Sequence, residues 1–260
     1  MKDISNNQLT LLRKLNRKKY REQEQRFLIE GSRAVEQIIT NGIVEVSELY
    51  FDESQSYWEQ QPWGEIIADY SCSKMSESHF TEVSDTDNPQ GILALCKMPD
   101  EATVEELAEP SGILLATDRI QDPGNLGTMI RTAAWFGVNG LLSGKGTVDL
   151  FHPKVVRSTA GATGTLKYRN GELDSLLPEL ESKGWRVLIL EGSEDSQNIK
   201  DLEFADKTIL LVGNEANGVA PNLFADQRKR IRIPSVADQQ QVESLNAAIA
   251  SGIALFAITE

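Results

Sequence analysis

Hydrophobic positions in the first hundred residues alternate between helical and strand-like spacing. Leu9, Leu12 and Leu15 follow Ser5 at helical spacing, which predicts an amphipathic helix with Ser5 as its N-cap. This alternation predicts a small α/β unit over residues 1–98. Its other expected elements are a helix at about residues 32–40 and strands at 26–31, 46–51, 65–73 and 91–98.

The second part of the chain has longer, continuous apolar runs. It follows an acidic, proline-edged stretch at residues 99–111, which predicts a linker and is compatible in part with a short helix. Continuous runs are typical of strands covered on both faces, so residues 112–260 are expected to form a parallel α/β sheet of about six strands. The expected strands are 112–118, 140–144, 165–168, 185–192, 208–214 and 230–234. The expected helices are 126–136, 153–161, 173–184 and a final one with the apolar stripe Val242, Leu245, Ile249, Ile253 and Phe256.

Composition narrows the class of protein. Of 260 residues, 40% are apolar and 25% charged, as in an ordinary globular protein. No apolar run reaches roughly 18 residues, which predicts no membrane span, and the first residues lack the apolar core of an export signal. Cys72 and Cys96 make no metal-ligand spacing and indicate a reduced compartment. We therefore expect a cytoplasmic protein without a metal site.

The net charge of −13 hides an asymmetry along the chain. Residues 1–33 hold nine Lys and Arg against four acids, so this end carries +5 and the remainder −18. A basic end on an acidic body can bind phosphates through a local patch, although a solvated helix face is an equally good interpretation of the charge alone.

Three polar, glycine-bearing segments adjoin buried strands in the second part. They are residues 118–131, 210–218 and 233–252. Ligands of open parallel sheets bind beyond the carboxyl ends of the strands, so these segments are the candidate site. In the first, Asn125 and Gly127 are expected to shape a turn, with Arg131 reaching back over it. In the second, Glu215 at the sheet edge needs a partner, for which Arg131 is the candidate.

The amino-acid sequences of these segments resemble those of a known family. DPGNLGTMIRTAAWFGV, LLVGNEANGVAP and RIRIP…VESLNAAIASGIALF are similar to the three motifs of the SpoU/TrmH family of RNA ribose methyltransferases, in the SPOUT superfamily. FLIEGSRAVEQII and SDTDNPQGILAL resemble the N-terminal RNA-binding domain of many members, and HPKVVRSTAGA resembles the segment after the first motif. The resemblance covers nearly the whole chain.

The resemblance implies a fold and a reaction. The fold is an α/β domain with a C-terminal trefoil knot, an exception to the usual absence of knots, preceded by a smaller α/β RNA-binding domain. The reaction is metal-free methyl transfer from S-adenosylmethionine to a ribose 2′-OH of ribosomal or transfer RNA, with ribosomal RNA favoured. The family acts as a homodimer with its site near the subunit interface.

Site residues follow by position from the motifs. The resemblance implies a cofactor loop that contains Gly192. The guanidinium of Arg131 is a poor base at neutral pH, so an orienting role for the 2′-OH and an adjacent phosphate is preferred. Catalytic candidates are Asn125, Arg131, Glu215, Ser244 and Asn246, and cofactor candidates are Gly192, Gly213, Ile233 and Leu245. RNA-binding candidates are Arg13, Lys14, Arg17, Lys18, Lys19, Arg21, Arg33 and Arg157.

Two departures from the family pattern keep a second hypothesis open. Ala216 stands where the family usually has glycine, and the loop at 234–242 is about three residues longer. These departures suggest a non-catalytic RNA-binding or ribosome-assembly factor that retains the fold. A dinucleotide-dependent oxidoreductase is disfavoured, because PGNLG lacks the spacing of the dinucleotide fingerprint.

Overall fold

The computed structural model describes residues 1–55, 63–235 and 244–259. It divides into two compact units. The first comprises Met1–Pro99 with Asp149–Gly164, and the second comprises Asp100–Val148 with Thr165–Glu260. The chain therefore leaves the second unit once, contributes sixteen residues to the first, and returns.

The first unit is a five-stranded mixed sheet with helices. Its strands are β1 (Lys2–Asp3), β2 (Arg26–Glu30), β3 (Val46–Asp52), β4 (Cys72–Met75) and β5 (Ile92–Lys97), in the order β1-β4-β3-β5-β2. Its helices are α1 (Asn6–Leu15), α2 (Lys18–Glu24), α3 (Ser32–Asn41), α4 (Trp63–Asp69), α5 (Glu77–Val83) and α8 (Pro153–Ser158).

The first helix forms as its sequence predicts. Ser5 caps α1 through a capping box with Gln8, which satisfies backbone N–H groups that the first turn leaves unpaired. Leu9, Leu12 and Leu15 are buried on one face and belong to the main apolar cluster of this unit.

The second unit is a seven-stranded sheet in which every pairing is parallel. Its strands are β6 (Gly112–Thr117), β7 (Gly140–Gly144), β8 (Lys167–Gly171), β9 (Arg186–Leu190), β10 (Gln197–Asn198), β11 (Lys207–Val212) and β12 (Lys229–Arg232), in the order β10-β12-β9-β11-β6-β7-β8. Its helices are α6 (Val104–Ala108), α7 (Pro123–Trp135), α9 (Leu173–Ser182) and α10 (Ala247–Thr259). The six expected strands are present, and the very short β10 is added at one edge.

One expected strand, at 65–73, was wrong in its first half. Residues Trp63–Asp69 form the helix α4, and only Cys72–Met75 form a strand. The reason is topological: β4 pairs parallel with β3, and parallel neighbours need a crossover connection between them. The helix lies in that crossover.

The stretch expected as a linker at 99–111 belongs to the second unit from Asp100 onward. Thr103 caps α6 through a capping box with Glu106. Val104 and Leu107 are buried in the core cluster of this unit, and the backbone carbonyl of Ala108 accepts a hydrogen bond from the indole of Trp185. Burial of the apolar face therefore fixes a segment whose acidic, proline-edged sequence indicated a connection.

The expected terminal helix is present, but its apolar stripe faces outward. Ala248, Ala254 and Leu255 are the buried apolar residues of α10. Ile249 is 57% exposed and Phe256 51% exposed, and Leu245 and Ile253 are also exposed. Val242 lies outside the described residues. Small residues at the other helix positions let α10 pack closely, with Gly252 against the methyl group of Thr132 on α7.

A buried ion pair fixes the returning segment in the first unit. The guanidinium of Arg21 is 2% exposed, pairs with Asp149 and donates a hydrogen bond of 2.7 Å to the carbonyl of Leu15. Arg21 was expected to contact RNA phosphates, but its charge is used inside the protein, so this expectation was wrong. Removal of one member of such a pair leaves an uncompensated charge, which makes the contact structurally important.

Candidate active site

Four neighbouring parallel strands end at the same edge of the second unit's sheet. In spatial order they are β12, β9, β11 and β6. Ile233, Gly192, Gly213 and Asp118 follow the ends of these strands within two residues. The candidate cofactor residues and the first motif therefore converge at the carboxyl edge, where open parallel sheets bind ligands.

The first motif forms a helix start instead of a free turn. Asp122 is the N-cap of α7, and its carboxylate accepts a hydrogen bond of 2.7 Å from the backbone N–H of Asn125. Asn125 and Gly127 were expected in the turn, but both lie inside α7, because Pro123 is well suited to a first helical turn. Arg131 lies further along the same helix and is exposed.

A chain of side-chain hydrogen bonds joins the three motif segments. The amide nitrogen of Asn125 donates to Glu215 Oε1 at 3.0 Å, and the amide nitrogen of Asn246 donates to Asn125 Oδ1 at 2.9 Å. Asn246 Oδ1 in turn accepts hydrogen bonds from the backbone N–H groups of Ala248 and Ile249, and so caps α10. Three catalytic candidates that are up to 121 positions apart are thus in direct contact.

Glu215 is held as a carboxylate. Burial alone would raise its pKa, but hydrogen bonds donated by Asn125 and by the backbone N–H groups of Gln121 and Asp122 outweigh burial, so the pKa of Glu215 lies below its ordinary value. The charge of this side chain is therefore compensated by hydrogen-bond donors. The expected ion pair with Arg131 is absent: within residues 1–55, 63–235 and 244–259, Arg131 makes no salt bridge.

Asn214 is a site residue that the sequence reasoning missed. Its amide nitrogen donates to the backbone carbonyl of Arg119 at 2.8 Å, and its amide oxygen accepts the N–H groups of Ala216 and Asn217. It is 8% exposed and fixes the loop that carries Glu215 to the loop after β6. An asparagine at the end of a buried strand, before a glycine-bearing turn, was the signal that could have identified it.

Asp118 makes a second connection between these loops. Its carboxylate accepts a hydrogen bond of 2.7 Å from the backbone N–H of Ala220 and pairs with the guanidinium of Arg119. Arg119 has a φ of 55°, a left-handed conformation that is uncommon outside glycine. Ala216 is not among the non-glycine residues with positive φ, so alanine fits the backbone where the family usually has glycine.

The cofactor candidates differ in their surroundings. At Gly213, an added Cβ would lie 2.3 Å from backbone atoms of Gly218 and Val219, so this glycine permits the close approach of the chain to itself. At Gly192, an added Cβ meets no atom of the described residues within 4 Å. Ile233 is half-buried and Leu245 is exposed. Most of the lengthened loop at 234–242 lies outside the described residues.

The remaining candidates are exposed. Ser244 is exposed and precedes Asn246, which makes the hydrogen bonds that cap the last helix. In the first unit, Lys14, Arg17, Lys18, Lys19 and Arg33 are exposed. Arg13 pairs with Glu82, and Arg157 pairs with Asp85 at 3.1 Å.

Comparison with known proteins identifies the class. The fold and the three joined segments define an α/β protein with a candidate ligand site at the carboxyl edge of a parallel sheet. The SpoU rRNA methylase family matches residues 112–256, and an MRM3-like substrate-binding domain matches residues 6–94. The chain belongs to the SpoU rRNA methylase family.

Individual relatives agree with this assignment. The chain is 35% identical over 247 residues to the Bacillus subtilis 23S rRNA (guanosine(2553)-2′-O)-methyltransferase RlmP, covering 94% of this chain and 92% of that protein. It is 26% identical to human mitochondrial rRNA methyltransferase 3, covering 91% and 68% respectively. An AdoMet-bound rRNA methyltransferase structure from Sinorhizobium meliloti superposes with a TM-score of 0.83 at 25% identity, covering 99% and 96%.

Two further features of the described ranges bear on chemistry. Within them, no helix is both long and apolar enough to span a bilayer. The same residues contain no group of three or more His, Cys, Asp and Glu side chains arranged to hold a metal ion.

The first prediction concerns Gly213. Gly213→Ala should lower the free energy of unfolding by about 1–3 kcal/mol. The new methyl group would overlap backbone atoms of Gly218 and Val219, which cannot move aside as a flexible side chain could. Gly192→Ala is the matched control, since no described residue lies within 4 Å of the added Cβ, and it should leave stability nearly unchanged. Urea unfolding of the purified proteins measures both, and equal stability of the two variants would contradict the packing argument.

The second prediction concerns the ionisation of Glu215. Because its pKa is depressed in the folded protein, its stabilising contribution should be complete above the ordinary value of 4.5 and be lost as pH falls through the lower folded value. The difference in melting temperature between wild type and Glu215→Gln should therefore be constant at neutral pH and shrink below about pH 4.5. A difference that grows on acidification would show that the carboxylate is not stabilised by its donors.

Proposed function

We propose that this protein transfers a methyl group from S-adenosylmethionine to a ribose 2′-OH of RNA, with ribosomal RNA as the favoured substrate. The observation that carries the proposal is the hydrogen-bond chain Glu215–Asn125–Asn246, which joins the three motif segments at the carboxyl edge of the sheet. The relatives named above support it, since they include an enzyme named as a 23S rRNA 2′-O-methyltransferase.

The residues at the sheet edge fit the cofactor. Among the described residues, nothing lies within 4 Å of a Cβ added at Gly192, and the side chain of Leu245 is exposed, which supports a ligand beside the ends of β9, β11 and β12. Gly192, Gly213, Ile233 and Leu245 are proposed to hold it, Gly213 through the shape of its own loop. When bound, S-adenosylmethionine supplies an activated methyl group on a sulfonium.

The protein's own groups orient the acceptor. The amide of Asn125 is fixed at both ends, so it presents one defined face to a ligand. The exposed guanidinium of Arg131, six residues along α7, orients the ribose hydroxyl and an adjacent phosphate as a bidentate donor. Holding the oxygen in line with the methyl group accounts for most of the rate, since oriented pairs gain up to roughly 7–11 kcal/mol. Ser244 and Asn246 are proposed to lie beside the acceptor, because Asn246 is hydrogen-bonded to Asn125.

The first unit is proposed to bind the RNA. Candidates for phosphate contacts are its exposed cations Lys14, Arg17, Lys18, Lys19 and Arg33. Arg13 and Arg157 now pair with surface carboxylates, and they would bind a phosphate in place of that partner. Because Asp149–Gly164 completes this unit, its role is tested with point variants of the whole chain instead of by deleting residues 1–98.

We also propose a homodimer that covers the exposed face of α7 and α10. Trp135 on α7 is 85% exposed, and Ile249, Ile253 and Phe256 are exposed apolar side chains on α10, which packs against α7. Such an apolar surface is typical of an interface. The rings of Phe136 and Phe256, 6.2 Å apart, connect the two helices.

Two finer features of the resemblance stay proposals. A C-terminal trefoil knot is supported by the strand order, because β12 lies beyond β9 while α10 packs against α7 and β11. A cytoplasmic location is supported by two free, buried cysteines, as expected in a reduced compartment.

The third prediction tests the reaction. Arg131→Ala should reduce methyl transfer from labelled cofactor to cellular RNA by about 100-fold or more, because an oriented charged donor is removed, while cofactor binding measured by calorimetry is retained. Arg186→Ala removes an exposed arginine at the opposite end of β9 and is the matched control. Wild-type protein that binds cofactor but methylates no RNA would favour the non-catalytic assembly factor.

The fourth prediction tests the dimer. Ile253→Glu should convert a dimer to a monomer in light scattering, because a charge would be buried in the apolar face. Ile43→Glu places the same change on an isolated exposed side chain of the first unit and should leave the mass unchanged. A monomeric wild type, or a dimeric Ile253→Glu variant, would contradict this interface.

A further inference from the structure

Residues 13–21, within the basic end of the chain, use only half of their cations in ion pairs. Between residues 13 and 21 there are six Lys and Arg side chains. Arg13, Lys18 and Arg21 pair with Glu82, Glu22 and Asp149 respectively. Among the described residues, no carboxylate lies within ion-pair distance of the other three, which are Lys14, Arg17 and Lys19.

Two of these three cations lie over one aromatic ring, and the third is hydrogen-bonded to the same residue through its backbone. The ammonium of Lys14, in the last turn of α1, lies 5.6 Å from the centre of the Tyr20 ring, and that of Lys19 lies 6.0 Å from it. Arg17 is the N-cap of α2, and its carbonyl accepts the backbone N–H of Tyr20. The ring is half-buried, while both lysines are exposed.

We propose that Tyr20 is a stacking residue for an unpaired base of the RNA substrate, with Lys14, Arg17 and Lys19 on the flanking phosphates. The inference rests on the proposed function, since it assumes that RNA is the substrate, and it assigns a role to a residue that the basic motif left unexplained. A ring face that exposed lysine side chains already reach is also accessible to a planar base.

The arrangement favours single-stranded over duplex RNA. In a duplex the bases are stacked on each other, and a side chain reaches mainly phosphates and 2′-hydroxyls. An aromatic ring between cations instead fits a loop or a strand end, in which a base can stack on the ring while its two phosphates meet the lysines. The lysines lose little on exchanging the ring for a phosphate, because exposed cation–π contacts are weak.

Binding measurements on the whole protein test the stacking role. Fluorescence anisotropy would follow a labelled, non-self-complementary RNA of about a dozen nucleotides and the corresponding duplex, each at several salt concentrations. Tyr20→Ala should weaken binding of the single strand by about 5- to 150-fold, the range for loss of one stacked base. It should leave the salt dependence and duplex binding unchanged, and Tyr20→Phe should bind like wild type.

Two control variants separate stacking from charge and from misfolding. Lys19→Ala should reduce the slope of log affinity against log salt by about 0.7, the value for one phosphate contact on a single strand. Tyr70→Ala removes another half-buried tyrosine of the same unit, without a lysine near its ring among the described residues, and should have no effect. Equal melting temperatures of the Tyr20 variants and wild type would show that the fold is intact.

The outcomes distinguish this inference from the function on which it rests. If Lys19→Ala weakens binding but Tyr20→Ala behaves like Tyr70→Ala, stacking is overturned and the phosphate surface stands. If Tyr20→Ala weakens duplex and single strand equally, a stacked unpaired base is also overturned. If neither variant changes binding while wild type still methylates RNA, the surface is wrong and the reaction stands. Absence of methyl transfer by wild type would overturn the proposed function itself.

Discussion

The site depends on one chain of hydrogen bonds, from Glu215 through Asn125 to Asn246. Each member lies on a different segment, and each segment starts or ends at a separate element of the sheet unit. An amide has one donor end and one acceptor end, so the carboxylate of Glu215 fixes which way Asn125 points, and Asn125 in turn fixes Asn246. The capped start of α10 therefore depends on the carboxylate of Glu215, in the loop after β11.

The backbone around this chain is shaped to allow it. Gly213 lets the end of β11 pass within contact of Gly218 and Val219, and Asn214 ties the resulting loop to Arg119. The left-handed conformation of Arg119 at the same place is a local cost, which the surrounding contacts with Asp118 and Gly218 offset. These restraints hold Glu215 against the start of α7, close to the side chains proposed to meet the ribose.

The first unit divides its positive charge between structure and surface. Arg21 is buried in an ion pair with Asp149, in the segment that returns from the second unit. Lys14, Arg17 and Lys19 are exposed, and the two lysines lie over the ring of Tyr20. A charge count along the sequence treats these residues alike. Burial separates them, because a guanidinium enclosed with its carboxylate cannot also neutralise a phosphate.

Elements with a local cause could be predicted from the residues of one segment alone. Ser5 and Leu9 predict α1, continuous apolar runs predict the parallel strands, and the three motifs predict which segments form the site. Features that depend on residues far apart in the sequence could be seen only in the folded structure. The parallel pairing of β3 with β4 requires a crossover, which contains α4 where a strand was expected. Packing buried Val104 and Leu107 of an expected linker, and Asn125 at the start of α7 is the partner of Glu215 in place of Arg131. The physical reason is that spacing records periodicity along one segment, whereas burial and hydrogen-bond partners are set by residues that the sequence separates and only the fold brings together.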